Sequence, residues 1–373
     1  MDRREVIVVG GGLIGLSIAW RAAQRGMRVT LLERGRFAAG ASHVAAGMLA
    51  PIAEADYGDA GRALLDLGLT SATSWPSFAD ELARASGRPS RLRAAGTLVL
   101  ARDRDEAEAL ERQLEYRRRL DLPVARVLPS LARELEPALA PSLRLALEIP
   151  GELSVDPRWA CEALVLAARV VGAHLADQCE VASLLRSDGQ VCGVVLADGT
   201  ELHADRVVLA AGAWSAALAD VPVRPVKGQI MRLRDREGPG LVNRTLRFEG
   251  GYLVSRGDGG YVLGASSEER GFDMSVTARP VYELLRDAAE LVPGLLELEV
   301  EEISAGLRPG SPDNLPLIGE ADEPGLVLAC GHYRNGILLA PLTAMLVVRA
   351  LEGVAPPEAV RPGRYVASEE VLA

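Results

Sequence analysis

An α/β chain of two interleaved domains is what three features of this sequence predict. They are a complete βαβ unit at residues 6–34, a second apolar strand ending in small residues at 207–215, and an alternating stretch at 223–302. The first two build a Rossmann-type domain on a parallel sheet. The third builds an α+β domain on a mixed or antiparallel sheet.

Val6–Val9 form a continuous apolar run, the pattern of a strand buried on both faces. Gly10-x-Gly12-x-x-Gly15 follows, then an amphipathic helix to about Gly26, a second apolar strand at Val29–Leu32, and Glu33. Gly10 permits the tight turn, Gly12 lets the backbone approach a pyrophosphate, and Gly15 lets helix and strand pack closely. The helix N-terminus offers N–H groups and a partial positive charge to that anion. Glu33 ends the second strand where a carboxylate can accept ribose hydroxyls, which disfavours NADP and leaves FAD and NAD open.

Residues 98–146 are helix-rich and charged, with no phosphate chemistry. Residues 154–180 read as a helix opened by Asp156-Pro157 and followed by a turn. Val181–Leu185, Gln190–Leu196 and Arg206–Ala210 read as a meander, broken at Ser187-Asp188-Gly189 and Asp198-Gly199. Its last strand runs into Ala211-Gly212-Ala213-Trp214-Ser215, as a parallel strand ends beneath a ligand. Residues 223–302 alternate as antiparallel strands up to a helix near 279–292. The C-terminal portion holds Gly306–Gly310, a short strand at Leu326–Ala329, the loop Gly331–Gly336, and a long apolar helix from Ile337 to about Leu351. That loop supplies a second helix N-terminus.

The chain has 373 residues, 49% hydrophobic and 25% charged, which suits two soluble globular domains. A net charge of −10 argues against a nucleic-acid surface. No apolar run is long enough to span a bilayer, and the first strand begins within five residues of the start, leaving no room for a signal peptide. Cys161, Cys179, Cys192 and Cys330 form no CxxC pair, which fits a reducing, cytoplasmic setting. His43, His174, His203 and His332 are scattered, so no metal site is expected. Lysine appears once, at Lys227, against an arginine-rich background in which an Arg is by default a solvated charge.

VIVVGGGLIGLSIAW, AAGMLAP, AAGAWS, RPVKGQ, GGYLV, GLRPGSPDNLPLIG and GHYRNGILLAP together carry a resemblance along essentially the whole chain. It is similar to the flavoprotein oxidases of the D-amino-acid oxidase family, and within them to the glycine oxidases. The resemblance implies FAD, held by Gly10, Gly12, Leu13, Ile14, Gly15, Glu33, Arg34, Ala41, Ser42, Ala46, Gly47 and Met48, with Val181 on the adenine. His332, Tyr333, Arg334, Asn335, Gly336, Ile337 and Leu338 would line the flavin ring. Arg308 would pair with the substrate carboxylate, Tyr252 would hydrogen-bond it, and Arg334 and Met48 would lie beside the substrate. A bidentate guanidinium is what recognition of a small carboxylate calls for. Leu307-Arg308 stands where some relatives carry a flavin-linking Cys, so the FAD would be non-covalent.

The implied domains are 1–85, 150–220 and 303–373 for FAD, and 86–149 with 221–302 for substrate. The implied reaction is oxidative deamination of glycine, sarcosine or D-alanine to the imine and oxo acid, with ammonia and hydrogen peroxide. It would supply iminoacetate to thiamine-thiazole synthesis. Partners would be a small amino acid and molecular oxygen, with no nucleic acid and no membrane span, in a homo-oligomer for which a tetramer is one candidate. Hydride transfer to flavin N5 would need no catalytic protein base. Lys227 reads as a domain-crossover residue rather than an oxygen-activating cation. Gly250 and Ser267 stand where the family pattern carries His and Met, which predicts a roomier pocket. The alternatives are a D-amino-acid or sarcosine oxidase or dehydrogenase of the same family, and a flavin-binding module without amine turnover. A mere flavin binder would need neither Arg308 nor Tyr252.

Overall fold

The computed structural model describes residues 4–238 and 240–365; residues 1–3 and 366–373, which the expected cofactor domain includes, lie outside the described residues. Its centre is a six-stranded sheet in the order Leu317–Glu320, Leu326–Cys330, Arg206–Leu209, Glu5–Val9, Arg28–Leu32, His174–Ala176. Every neighbouring pair is parallel except the first. Strand Glu5–Val9 shows why its sequence is apolar throughout. Val6 and Val8 pack beneath the helices Leu13–Gln24, Pro157–Val170 and Ala340–Leu351, while Ile7 and Val9 pack beneath the meander Val181–Ser187, Gln190–Leu196, Glu201–His203. Each such buried side chain contributes about 1.5–3 kcal/mol.

The second unit is an eight-stranded sheet. Its order is Glu299–Gly310, Arg224–Arg234, Gly260–Gly264, Gly251–Ser255, Thr245–Phe248, Thr97–Ala101, Leu145–Ile149, Ala125–Val127. Thr245–Phe248 and Thr97–Ala101 run parallel and the other pairs antiparallel, so the sheet is mixed. Helix Ala278–Leu291 buries Leu284, Ala288 and Leu291 against its outer face. Strand Glu299–Gly310 runs straight through position 303 and stays in this sheet along its whole length. A small sheet, Met48–Leu49, Leu153–Val155, Leu92–Arg93, lies between the two units.

Four local expectations change. Segment 98–146 carries three strands of the large sheet as well as the helices Arg104–Arg119 and Pro129–Leu135. Its strands are apolar enough (TLVLA, LALEI) but too short to show a period beside the long charged helix. The helix opened by Asp156 ends at Val170, and His174–Ala176, read as helix and turn, is the edge strand beside Arg28–Leu32. The meander's third strand is Glu201–His203; Arg206–Leu209 belongs to the central parallel sheet instead. The C-terminal helix begins at Ala340 rather than Ile337, because Pro341 suits only its first turn, and His332–Leu338 is a loop.

Candidate active site

One cavity of about 1510 Å³ runs from the first glycine turn, between the two units, to the pocket face of the large sheet. A single small-molecule site typically needs about 300–1,000 Å³, so this one has room for a dinucleotide and a small substrate together.

At its first end Gly10, Gly12, Leu13 and Ile14 line the wall. Helix Leu13–Gln24 starts on Gly12 with no side-chain cap, although Ser42 Oγ accepts the Leu13 N–H at 3.0 Å. Gly15 does not reach the cavity. A Cβ there would overlap the Gly10 carbonyl, so its role is the close approach of helix to strand. Glu33 lines the cavity and accepts N–H bonds from Gly11 (2.7 Å) and Gly35 (2.9 Å). Gly11, the unassigned position inside the motif, must also be glycine, since a Cβ would stand 2.8 Å from Glu33 Cβ. Arg34, Ala41, Ser42, Ala46, Gly47, Met48 and Val181 all line the same cavity. The Arg34 guanidinium lies 3.9 Å over the Trp214 ring. This cradle fits FAD: a helix N-terminus whose cap residue, Gly12, brings no capping side chain, a carboxylate at the strand end, and a Gly12 whose Cβ would stand 3.3 Å from Ser42 Oγ.

Farther along, His332, Tyr333, Arg334, Gly336 and Ile337 line the wall, whereas Asn335 and Leu338 turn inward. Asn335 closes the loop, its carbonyl accepting the Leu339 N–H. The Leu338 carbonyl accepts from Ser71 (2.7 Å) and Trp75 (2.9 Å). Tyr333 N–H bonds the Pro309 carbonyl at 2.8 Å, tying this loop to the strand that carries Arg308. His332 is buried beside Thr343 (2.9 Å), and burial pushes its pKa down to about 3, so the imidazole is neutral. Cys330 also lines the wall, and burial pushes its thiol up to about 12, which removes it as a nucleophile toward a cofactor.

At the substrate end, Arg308 lies flat across Gly228, where any Cβ would overlap the guanidinium. Its Nη1 donates to the carbonyls of Ser266 (3.0 Å) and Lys227 (3.3 Å). The group is thereby held in place with its other donors left for a ligand. Tyr252 reaches over Gly264, whose Cβ would stand 2.8 Å from the hydroxyl. Burial raises the Tyr252 pKa, so it remains a protonated donor. Gly250 and Ser267 both line the cavity. Lys227 does not: its side chain, 1% exposed, pairs with Asp273 at 2.7 Å and pins the loop 266–277. That pair holds the Asp273 carboxyl below its usual range.

Three residues here carried no sequence motif. Glu54, at the end of the run GMLAPIAE, lines the cavity. Its turn is gripped by two buried ionisable side chains. Arg117 donates to the carbonyls of Ile52 (2.7 Å) and Ala53 (2.8 Å), and Glu152 accepts the Ala53 N–H at 2.7 Å. Burial lowers the Arg117 pKa to about 10 and raises that of Glu152 to about 7. The only sequence signal was a carboxylate six residues after Met48. Its two braces come from a distant helix and a distant turn.

No group of three His, Cys, Asp or Glu side chains able to hold a metal occurs among the described residues. No described helix is long and apolar enough to cross a membrane.

The family model for FAD dependent oxidoreductases matches residues 5–350. The glycine oxidase of Geobacillus kaustophilus is 38% identical over 94% of this chain and 93% of its own length. The bifunctional protein ThiO/ThiG of Trichormus variabilis is 36% identical over 92% of this chain, and the chain spans 52% of that relative. The crystal structure of the Geobacillus glycine oxidase superposes with a TM-score of 0.89 at 36% identity, covering 98% of this chain and 99% of that one.

Proposed function

Since the chain belongs to the FAD-dependent oxidoreductase family, we propose that it oxidises glycine and other small amino acids, sarcosine and D-alanine among them, at the cavity between its two units. The products are the imine, its oxo acid and ammonia, with hydrogen peroxide from oxygen, and the pathway use is supply of iminoacetate for thiamine-thiazole synthesis.

One observation carries the reading. The Arg308 guanidinium lies across Gly228, anchored through Nη1, with its remaining donors and the Tyr252 hydroxyl on the same cavity. This is a clamp for one small carboxylate. Holding the carboxylate fixes the α-carbon, which removes the entropic cost of orienting its C–H. FAD supplies the two-electron acceptor and the reaction with oxygen; the protein supplies position and electrostatics. Gly10, Gly12, Ile14 and Glu33 are assigned to its pyrophosphate and ribose, and His332–Ile337 to its ring system. Gly250 and Ser267 support a substrate pocket wider than glycine alone requires.

We assign residues 1–85, 150–220 and 303–373 to the cofactor domain, the strand Glu299–Gly310 being shared with the substrate sheet. A cytoplasmic homo-oligomer completes the proposal; the four cysteines are all free, as a reducing compartment requires. Light scattering on the purified protein reports the oligomeric state.

The decisive experiment adds glycine, sarcosine, D-alanine and D-proline anaerobically to the yellow protein and follows loss of the flavin absorbance. Glycine, sarcosine and D-alanine should each bleach it, and admitting oxygen should restore the colour with release of peroxide. A spectrum that ignores all four would overturn the proposal.

A further inference from the structure

Resting on the amino-acid oxidase reading, we propose that Arg247 determines specificity at the same site. Its guanidinium receives a second anionic group on the substrate, so that the enzyme takes small amino acids bearing an extra carboxylate on the amine or on the α-carbon.

Strand register places Arg247. It lies directly opposite Tyr252 where Thr245–Phe248 pairs antiparallel with Gly251–Ser255, and opposite Val99 where the same strand pairs parallel with Thr97–Ala101. Side chains directly opposite in an antiparallel pair share one face of the sheet, their Cβ atoms about 4.5–5.5 Å apart. Arg247 therefore rises beside Tyr252, and both line the cavity. Tyr252 in turn reaches over Gly264, two residues before the Ser266 whose carbonyl anchors Arg308. On the other side Val99 packs with Ala50, Ile52 and Ala53, so the turn before Glu54 covers that part of the face.

The other arginines on the cavity are engaged or outside. Arg308 is anchored by two carbonyls, Arg34 lies over Trp214, and Arg334 stands 5.1 Å from the Tyr333 ring centre. Arg270 and Arg279 are exposed. Arg247 is half-buried, and its guanidinium makes no hydrogen bond, ion pair or ring contact among the described residues. A guanidinium carries five N–H donors, and removing it from water without a partner is unfavourable. Its charge bears on another cation, Arg117, whose pKa is lowered to about 10 by burial first and by Arg247 after it. An anion at Arg247 relieves that repulsion.

Space is present as well. Gly250, in the hairpin turn between Arg247 and Tyr252, lines the cavity, and a Cβ there would meet only Asp287 Oδ2, at 3.7 Å. With one carboxylate on Arg308 and Tyr252, a second, one carbon beyond the nitrogen or the α-carbon, is met by the long Arg247 side chain. The oxidation itself is unchanged. The nitrogen gives its proton to solvent, the α-hydrogen leaves with its electron pair to FAD, and the lone pair forms the C=N bond. Water cleaves the imine to an oxo acid and an amine, and oxygen is reduced to hydrogen peroxide. From N-(carboxymethyl)glycine the amine released is glycine; from D-aspartate it is ammonia.

The test uses matched pairs in which a carboxylate is added to a methyl group: sarcosine with N-(carboxymethyl)glycine, and D-alanine with D-aspartate. The wild type should oxidise at least one acid with kcat/KM equal to or above that of its methyl parent, and the pair that responds shows where the second group is carried. In Arg247→Met the ratio of that acid to its parent should fall at least about tenfold, the loss of one charge-assisted hydrogen bond. Arg247→Lys should keep part of the ratio, since a point charge remains. Succinate and propionate differ in the same way and are not oxidised; by perturbation of the flavin spectrum the wild type should bind succinate at least about tenfold more tightly. Ratios unchanged in Arg247→Met, or a wild type that accepts both parents and rejects both acids, would overturn the inference. Should the Met variant not fold, the wild-type ratios and Arg247→Lys decide it. A wild type that oxidises no small amino acid refutes the parent reading instead, and the absence of a succinate preference then overturns the second anion site by itself.

Discussion

Removing the guanidinium of Arg308 perturbs the site most informatively, because the structure separates its charge from its placement. Nη1 is occupied by the Ser266 and Lys227 carbonyls at 3.0 and 3.3 Å, which leaves Nε and Nη2 to form a two-bond pair with a carboxylate. Charge-assisted hydrogen bonds contribute about 1.5–3 kcal/mol each, so losing two costs at least about 3 kcal/mol, or roughly a hundredfold in kcat/KM at 1.4 kcal/mol per decade. Arg308→Ala should therefore fall by at least about a hundredfold for glycine while keeping its FAD. Arg308→Lys should recover little, since an ammonium cannot bridge the two anchoring carbonyls and also present a fork. Gly228→Ala provides the control that keeps the charge. Its Cβ overlaps the guanidinium and must push it aside, so this variant should mimic the loss through KM. The assay is peroxide formation at varied glycine, with flavin content read from the visible spectrum. Near wild-type kinetics in Arg308→Ala, or an unaffected Gly228→Ala, would refute the clamp.

Other consequences are as concrete. The protein should be yellow and should release all its FAD on acid precipitation; flavin remaining on the pellet would contradict the inert Cys330 thiol and the Leu307-Arg308 sequence. Ser267→Met should depress turnover of sarcosine and D-alanine more than that of glycine, because one methyl group is worth only about 1–3 kcal/mol in a roomy pocket and added bulk removes that room. An equal effect on all three substrates would place Ser267 away from the α-carbon and nitrogen. The last concerns Glu152, whose pKa burial raises from 4.5 to about 7. The folded state then holds this proton more tightly than the unfolded chain, so stability is lost as pH rises from the unfolded value through the folded one. Glu152→Gln escapes that loss, and its urea midpoint should gain on wild type between pH 5 and about 7.5. Curves that stay parallel would show that Glu152 does not titrate there.

The sequence alone determined what is local. The βαβ unit was legible because a doubly buried parallel strand must be apolar throughout, and because Gly10 and Gly15 stand where a Cβ would overlap backbone, with Gly12 close against Ser42 Oγ. The motifs around Arg308 and Tyr252 singled out both residues, and the fold brings them to one cavity. What needed the tertiary structure was whatever depends on distant segments meeting. His174–Ala176 is a strand only because Arg28–Leu32 offers it a free edge. Thr97–Ala101 and Leu145–Ile149, brief apolar runs flanking a charged helix, become strands because the first pairs with the distant Thr245–Phe248 and the second pairs with the first. Glu54 lies in a plain turn until Arg117 and Glu152 close on the peptides before it. Burial, too, belongs to the fold. It keeps His332 neutral, holds the Cys330 thiol protonated and confines Lys227 to Asp273, and none of these states is written in the residue or its neighbours in the chain.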